Sequence, residues 1–296
     1  MKIGAAKKSQ TDGKIHPTLG GLVFFGDFMT ITDELPNYFL DYREHLTNDS
    51  RWSDRVNSGD GTWSGNIFDF YYKVIDRLTA DVKKPFRLDS NLLRIDDTSI
   101  HKSLRECLAN ALIHADFHGR RGTMVDKEFR KIVIANPGTF RIGIDEAIAG
   151  GISDARNGRI FNMFALINVG ERSGTGICDV YHIWAENGFK EPSYVETVDP
   201  DRIVLTLQMD PYDNGDDGND GNNDGNDGSL TQNEIYVLQV ISKMPALSAS
   251  KIAAATGISK PSVERALRSL KEKKYIRREG STRGRWIILK ERYRRV

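Results

Sequence analysis

The 296 residues are enough for two domains, each with a core of its own. Hydrophobic residues make up 39% and charged residues 28%, and no apolar run approaches the roughly 20 residues a membrane span needs. Two cysteines argue against a disulfide framework, and residues 1–14 are too polar and basic for a secretory signal, so a cytoplasmic protein is expected.

The formal net charge of +1 conceals an asymmetry. Residues 229–296 hold 16 Lys/Arg against 5 Asp/Glu, a net of +11, whereas residues 1–228 hold 26 against 36, a net of −10. A compact basic region behind an acidic body is the footprint expected for phosphate binding.

In chain order, residues 1–18 read as a tail and residues 19–209 as one mixed α+β domain. The apolar run over 20–25 suits a buried strand. Ile67, Phe70, Tyr71, Val74, Ile75 and Leu78 recur at helical spacing and predict a helix over 67–78. A second helix spans 99–115, followed by strands over 122–126 and 131–135 joined as a hairpin. Helices are expected over 145–149, 159–167 and 176–186, then a strand pair over 193–198 and 202–207.

The helix over 99–115 carries the most suggestive chemistry of this region. Ile100, Leu104, Cys107, Leu108, Ala111 and Leu112 form its buried stripe, and Glu106, Asn110 and His114 recur every four residues along the edge. A carboxylate and an amide one turn apart can hold a hydrated Mg²⁺ and a water. The plainer reading makes them boundary residues bonded to neighbouring backbone.

Residues 210–228 are almost wholly Asp, Asn and Gly, which favour turns and cannot pack a core, so they read as a flexible acidic linker. Their seven aspartates could also fold back as a weak electrostatic competitor for DNA. No EF-hand-type glutamate closes the run, which argues against a calcium loop.

Beyond the linker, Thr231 and Glu234 have capping-box spacing and open a helix. A second short helix follows Ser248 and ends at Gly257. Ser259 and Pro261 open a third, with Val263, Ala266, Leu267 and Leu270 as its buried stripe. Two β-rich runs, 275–279 and 285–289, flank a glycine-bounded turn over 280–284. This order is that of a winged helix, whose third helix enters the major groove. Lys260, Ser262, Arg265, Arg268 and Lys271 are its candidate contacts to bases or phosphates, and Arg283 and Arg285 are those of the wing. Double-stranded DNA is the expected partner, and a homodimer is expected because winged helices generally act in pairs.

Three motifs in order, Leu104–Asp116 (LRECLANALIHAD), Ile134–Gly138 (IANPG) and Gly170–Ile177 (GERSGTGI), resemble the RecG-like, divergent-AAA transcriptional regulators. Over residues 19–207 that family is similar to the GHKL fold, the ATP-binding domain of histidine kinases, gyrase and Hsp90. The resemblance therefore implies an α+β architecture: a GHKL-like two-layer α/β sandwich followed by a winged helix. The family commonly places a Schlafen/AlbA-like domain ahead of these two; that domain is expected to be lacking here, with residues 1–18 a remnant of it at most.

The resemblance also implies roles. Glu106 would match the water-activating carboxylate of an ATPase and Asn110 its Mg²⁺ ligand, with His114 beside them. Asn136 and Gly138 would stand at the adenine-binding turn, and Gly174, Thr175 and Gly176 would let backbone N–H groups approach phosphates. ATP and Mg²⁺ are the implied cofactors. The chain departs from the pattern at Asn136, where active ATPases use Asp, and at Thr139-Phe140, where a second glycine is absent. The reading is a DNA-binding regulator with a nucleotide-sensing or dimerising body. The alternatives are an ATPase using Glu106 as general base, or a non-catalytic interaction scaffold.

Overall fold

The computed structural model describes residues 3–45, 52–80, 82, 98–128, 130–170, 176–209, 230–256, 258–280 and 284–289. The expected linker, 210–228, lies outside them. Two compact units form: Met1–Glu44 with Asp54–Lys127 and Lys131–Tyr212, and Asp213–Val296 with His45–Ser53 and Glu128–Arg130.

The first unit opens with a short ribbon, β1 (Ala6–Lys8) and β2 (Ile15–Pro17), followed by helices α1 (Leu19–Phe25) and α2 (Phe28–Glu34). Strands β3 (Leu40–His45) and β4 (Asp54–Asn57) precede α3 (Ile67–Thr79) and α4 (Ser99–His114). Next come β5 (Thr123–Glu128), β6 (Lys131–Pro137), α5 (Ile144–Ala149), α6 (Gly158–Ala165) and α7 (Gly176–Glu186), and β7 (Ser193–Val198) and β8 (Asp201–Gln208) close the unit.

Residues 20–25, expected as a strand, are helical. A short apolar run does not by itself distinguish a strand from a buried helix turn. Thr18 decides the matter as N-cap, its hydroxyl accepting from the Gly21 N–H at 3.0 Å. α1 then lies so close to the preceding chain that a Cβ on Gly21 would overlap the Ala5 carbonyl.

Six strands form one sheet in the order β4-β3-β5-β6-β8-β7. β5 and β6 pair antiparallel with Met124 opposite Ala135, and β6 continues onto β8 with Ile134 opposite Leu205. Alternation puts Val125, Ile132, Ile134, Ile203, Leu205 and Leu207 on the buried face. All six apolar residues of the α3 stripe, from Ile67 to Leu78, are buried. α4 is the central helix, touching α3, α6, α7 and β6. Trp184 of α7 completes the core, fully buried, its indole N–H donating to the Gln208 carbonyl at 2.8 Å.

The second unit contains α8 (Gln232–Lys243), α9 (Ala249–Thr256) and α10 (Lys260–Glu272), then β9 (Ile276–Glu279) and β10 (Arg285–Ile288). Both halves of the Thr231/Glu234 capping box form, and Ser259 caps α10 with proline in its first turn. β9 and β10 pair antiparallel, Arg285 opposite Glu279. Val263, Ala266, Leu267 and Leu270 are buried against Val237, Leu238, Ile241, Ile252 and Trp286. Each Val, Leu or Ile side chain among them contributes about 1.5–3 kcal/mol if it is fully removed from water. Three helices and a hairpin in this order make a winged helix.

Candidate functional site

Glu106, Asn110 and His114 leave α4 on one side, a turn apart, and line an open pocket. Its apolar lining includes Ile134, Ile203 and Leu205 from the sheet, with Phe161, Ala147 and Tyr194. Predominantly apolar walls with a few convergent polar groups are usual for a small-molecule site. Asn110 donates through Nδ2 to Glu106 Oε1 at 3.2 Å. Gly176, the first residue of α7, lies against that pair: a Cβ there would stand 2.5 Å from Glu106 Oε1 and 3.2 Å from Asn110 Nδ2. The start of α7 thus lies beside a carboxylate, a favourable place for a negative charge.

Asn136, at the end of β6, is buried and also lines the pocket. Its Nδ2 donates to the Pro137 carbonyl at 3.3 Å, leaving Oδ1 as the acceptor. The next turn holds Gly138 at φ 101°, and a Cβ there would come 3.1 Å from Arg156 Nη2 and 3.2 Å from Asp116 Cβ. Gly138 belongs to this turn without lining the pocket. Gly174 and Thr175 lie outside the described residues.

Sequence reasoning missed the clip that holds these parts together. Arg156 donates through Nε to the His114 carbonyl at 3.0 Å and through Nη2 to the Thr139 carbonyl at 2.8 Å. Asn157 Nδ2 donates to the carbonyls of Ile113 and Ala115 at 2.9 and 2.7 Å. The two side chains therefore satisfy the carbonyls that α4 leaves open at its C-terminus and tie them to the turn after β6. Also missed were Arg141 and Asp154, paired at 3.0 Å on the pocket wall, and Phe140, set edge-on to Tyr194. Adjacent polar residues in a loop carry no periodicity, so only the final contacts reveal them.

Three groups at the pocket are biased toward their neutral forms. Burial, aided by the Arg156 charge, lowers the His114 pKa, so its imidazole is uncharged at neutral pH. Burial raises the Cys107 thiol well above its ordinary value, with the Glu106 charge adding to the shift. The Tyr194 phenol is pushed up by burial too. Among the described residues no group of three or more His, Cys, Asp or Glu side chains could hold a metal ion.

In the second unit the predicted cations occupy the face of α10 opposite its buried stripe. Lys260, Arg265, Arg268 and Lys271 are exposed and Ser262 is half-buried. Ser262 Oγ accepts from Arg265 Nη2 at 3.0 Å and contacts the cap hydroxyl of Ser259, so its hydroxyl serves the helix start. Lys260 lies 3.8 Å from Glu264, and Arg285 of the wing 3.4 Å from Glu279. Arg283 lies outside the described residues. Two further features were missed: Arg278 on β9, and Trp286, whose ring has Lys271 Nζ and the Arg278 guanidinium each 5.1 Å from its centroid.

A pocketed α+β domain followed by a winged helix defines the class: an ATPase-like domain with a DNA-binding-type module. The family comparisons agree with that order. Residues 129–207 match the family described as "Putative ATP-dependent DNA helicase recG C-terminal", and residues 229–285 match the MarR family. The chain therefore carries a RecG C-terminal-like domain followed by a MarR-type winged helix, the arrangement its motifs resemble. Residues 1–41 match a domain of unknown function, DUF8451. No curated protein matches the chain. Among solved structures, the DIP2311 protein from Corynebacterium diphtheriae is similar in fold, with a TM-score of 0.52 at 14% identity over 97% of this chain. This chain spans 56% of that protein's length. No helix among the described residues is long and apolar enough to cross a membrane.

Proposed function

We propose that the protein is a DNA-binding transcriptional regulator, acting as a homodimer, whose body binds a purine nucleotide with Mg²⁺. The observation that carries the reading is the division of α10. Its apolar stripe is consumed by the domain core, and its opposite face offers four exposed cations where a recognition helix meets a groove. Arg285 extends that surface onto the wing.

The nucleotide reading rests on the pocket. Its residues fit the group: an amide and a carboxylate side by side supply the hard oxygen donors magnesium takes, and Asn136 Oδ1 is an acceptor for an exocyclic amino group. Bound nucleotide would supply a polyphosphate whose charge the metal neutralises. The chain's own contribution is to seat the base against Ile134, Ile203 and Leu205 and to keep His114 uncharged. A second reading, ATP hydrolysis with Glu106 as general base, is favoured by the position of its carboxylate on the pocket wall.

The test is duplex binding by fluorescence anisotropy across a salt series. Affinity should fall with a slope of about −0.9 per neutralised phosphate, and Arg265→Ala with Arg268→Ala should each flatten it by about that amount. Affinity indifferent to salt, or absent for every duplex, sinks the regulator reading. Calorimetry with ATP and Mg²⁺ should give a binding isotherm that Asn136→Ala weakens, and turnover abolished by Glu106→Ala would select the enzyme. Sedimentation tests the dimer.

A further inference from the structure

The β1–β2 ribbon concentrates cations on a body that is otherwise acidic. Lys7 and Lys8 lie on β1 and Lys14 immediately precedes β2, all exposed. Asp12 is the lone acid of the ribbon, and its oxygens are engaged locally, one by the His16 ring at 2.7 Å and the other by the Lys14 N–H at 3.0 Å. At the foot of the ribbon, exposed Arg159 of α6 lays its stem beside Gly4 and Gly20, where added Cβ atoms would stand 3.6 Å from its Cγ and 3.0 Å from its Cβ. None of Lys7, Lys8, Lys14 or Arg159 forms an ion pair among the described residues. No ion pair among the described residues uses these charges, and their mutual repulsion opposes the fold.

The register gives the ribbon a shape as well as a charge. Lys7 stands opposite His16 and Lys8 opposite Ile15. Successive strand residues point to opposite faces, so Lys7 and Lys8 leave the ribbon on its two sides. A ribbon lying flat on a surface would use one of them. The major groove, about 12 Å wide, admits a two-stranded ribbon between its phosphate rows, within reach of long lysine side chains on either face.

We propose that the β1–β2 ribbon is a second, sequence-independent contact to duplex DNA, with Lys7, Lys8 and Lys14 reaching backbone phosphates. The choice of a duplex as occupant rests on the DNA-binding reading of the winged helix; the pattern of lysines does not.

The experiment measures salt slopes for the full chain on a labelled duplex of arbitrary sequence, comparing Lys7→Gln/Lys8→Gln/Lys14→Gln with Arg265→Ala/Arg268→Ala. The ribbon variant should lose about 2 to 3 units of slope and at least about tenfold in affinity near 0.1 M salt. Its melting temperature should not fall, because the three lysines have no ion-pair partners among the described residues to lose. A ribbon variant whose slope stays within about 0.5 of the parent overturns the proposal, and if the α10 variant is weakened in the same experiment the regulator reading stands. A ribbon effect without any α10 effect supports the ribbon and removes the winged-helix reading. No duplex binding by the parent chain removes both.

Discussion

The two units solve opposite problems with similar residue types. In the body, Glu106, Asn110, Asn136 and His114 are drawn toward an apolar floor, the first two bonded to each other and Asn136 to nearby backbone. In the winged helix, Lys260, Arg265, Arg268 and Lys271 are pushed outward by an apolar stripe that leaves them no interior role. The difference shows where each site's specificity must come from. The inward site depends on a few fixed atoms, so displacing one carboxylate alters it. The outward site depends on summed charge, so each residue counts about equally and salt competes with all of them.

The largest expected effects come from the two tryptophans that anchor the units. Trp184→Ala in the body and Trp286→Ala in the winged helix should each cost about 3–5 kcal/mol, because each empties a fully packed site and orphans a carbonyl. Hydrogen exchange should show protection lost in the mutated unit alone. If either change strips protection from both units, the units do not behave as separate folds and the comparison breaks.

A smaller effect distinguishes a clip from a contact surface. Arg156→Ala removes two charge-assisted hydrogen bonds to carbonyls and should cost the body about 2–3 kcal/mol in urea unfolding. Arg268→Ala should cost no more than about 0.5 kcal/mol, as expected of an exposed side chain, while weakening duplex binding. Equal stability losses for the two would place Arg268 in the fold instead of on a surface.

How much of this was readable beforehand follows the same division. The winged helix was legible almost residue by residue, because caps, stripe and turn are local: Thr231 with Glu234, Ser259 with Pro261, and Val263 through Leu270 each announce themselves within a few positions. In the body, α3 and the 193–198 strand were equally plain. The β1–β2 ribbon and α2 were not, and neither were β3 and its edge neighbour β4, where Asp41, Arg43 and Arg55 interrupt the apolar alternation to form an ion-paired cluster on the sheet. Residues 20–25 misled because a buried helix turn and a buried strand look alike when the cap ahead of them is overlooked. For the pocket, α4 could be read because its polar residues are periodic, whereas Tyr194 lines it and Arg156 braces α4 only through tertiary contacts separated by tens of residues.

The smallest expected effect comes from acid, and it separates the units by pH. His114 has a folded pKa below its ordinary 6.5, burial being the main cause and Arg156 the next. The unfolded chain therefore binds this proton more readily, and body stability falls as pH drops below about 6.5. Glu234 is only 2% exposed, and that burial alone would raise its pKa. Hydrogen bonds from Ser269, the Thr231 N–H and Lys273 outweigh it and hold the pKa below the ordinary 4.5. Its contribution is complete above that ordinary value and is lost as pH falls from there through the folded pKa. Thermal unfolding between pH 7 and 3 should thus weaken the body first and the winged helix only at the acid end. His114→Asn should flatten the upper part of the profile and Glu234→Gln the lower, each without touching the other. A single acid transition shared by both units, unmoved by either variant, would show that neither buried group sets the response.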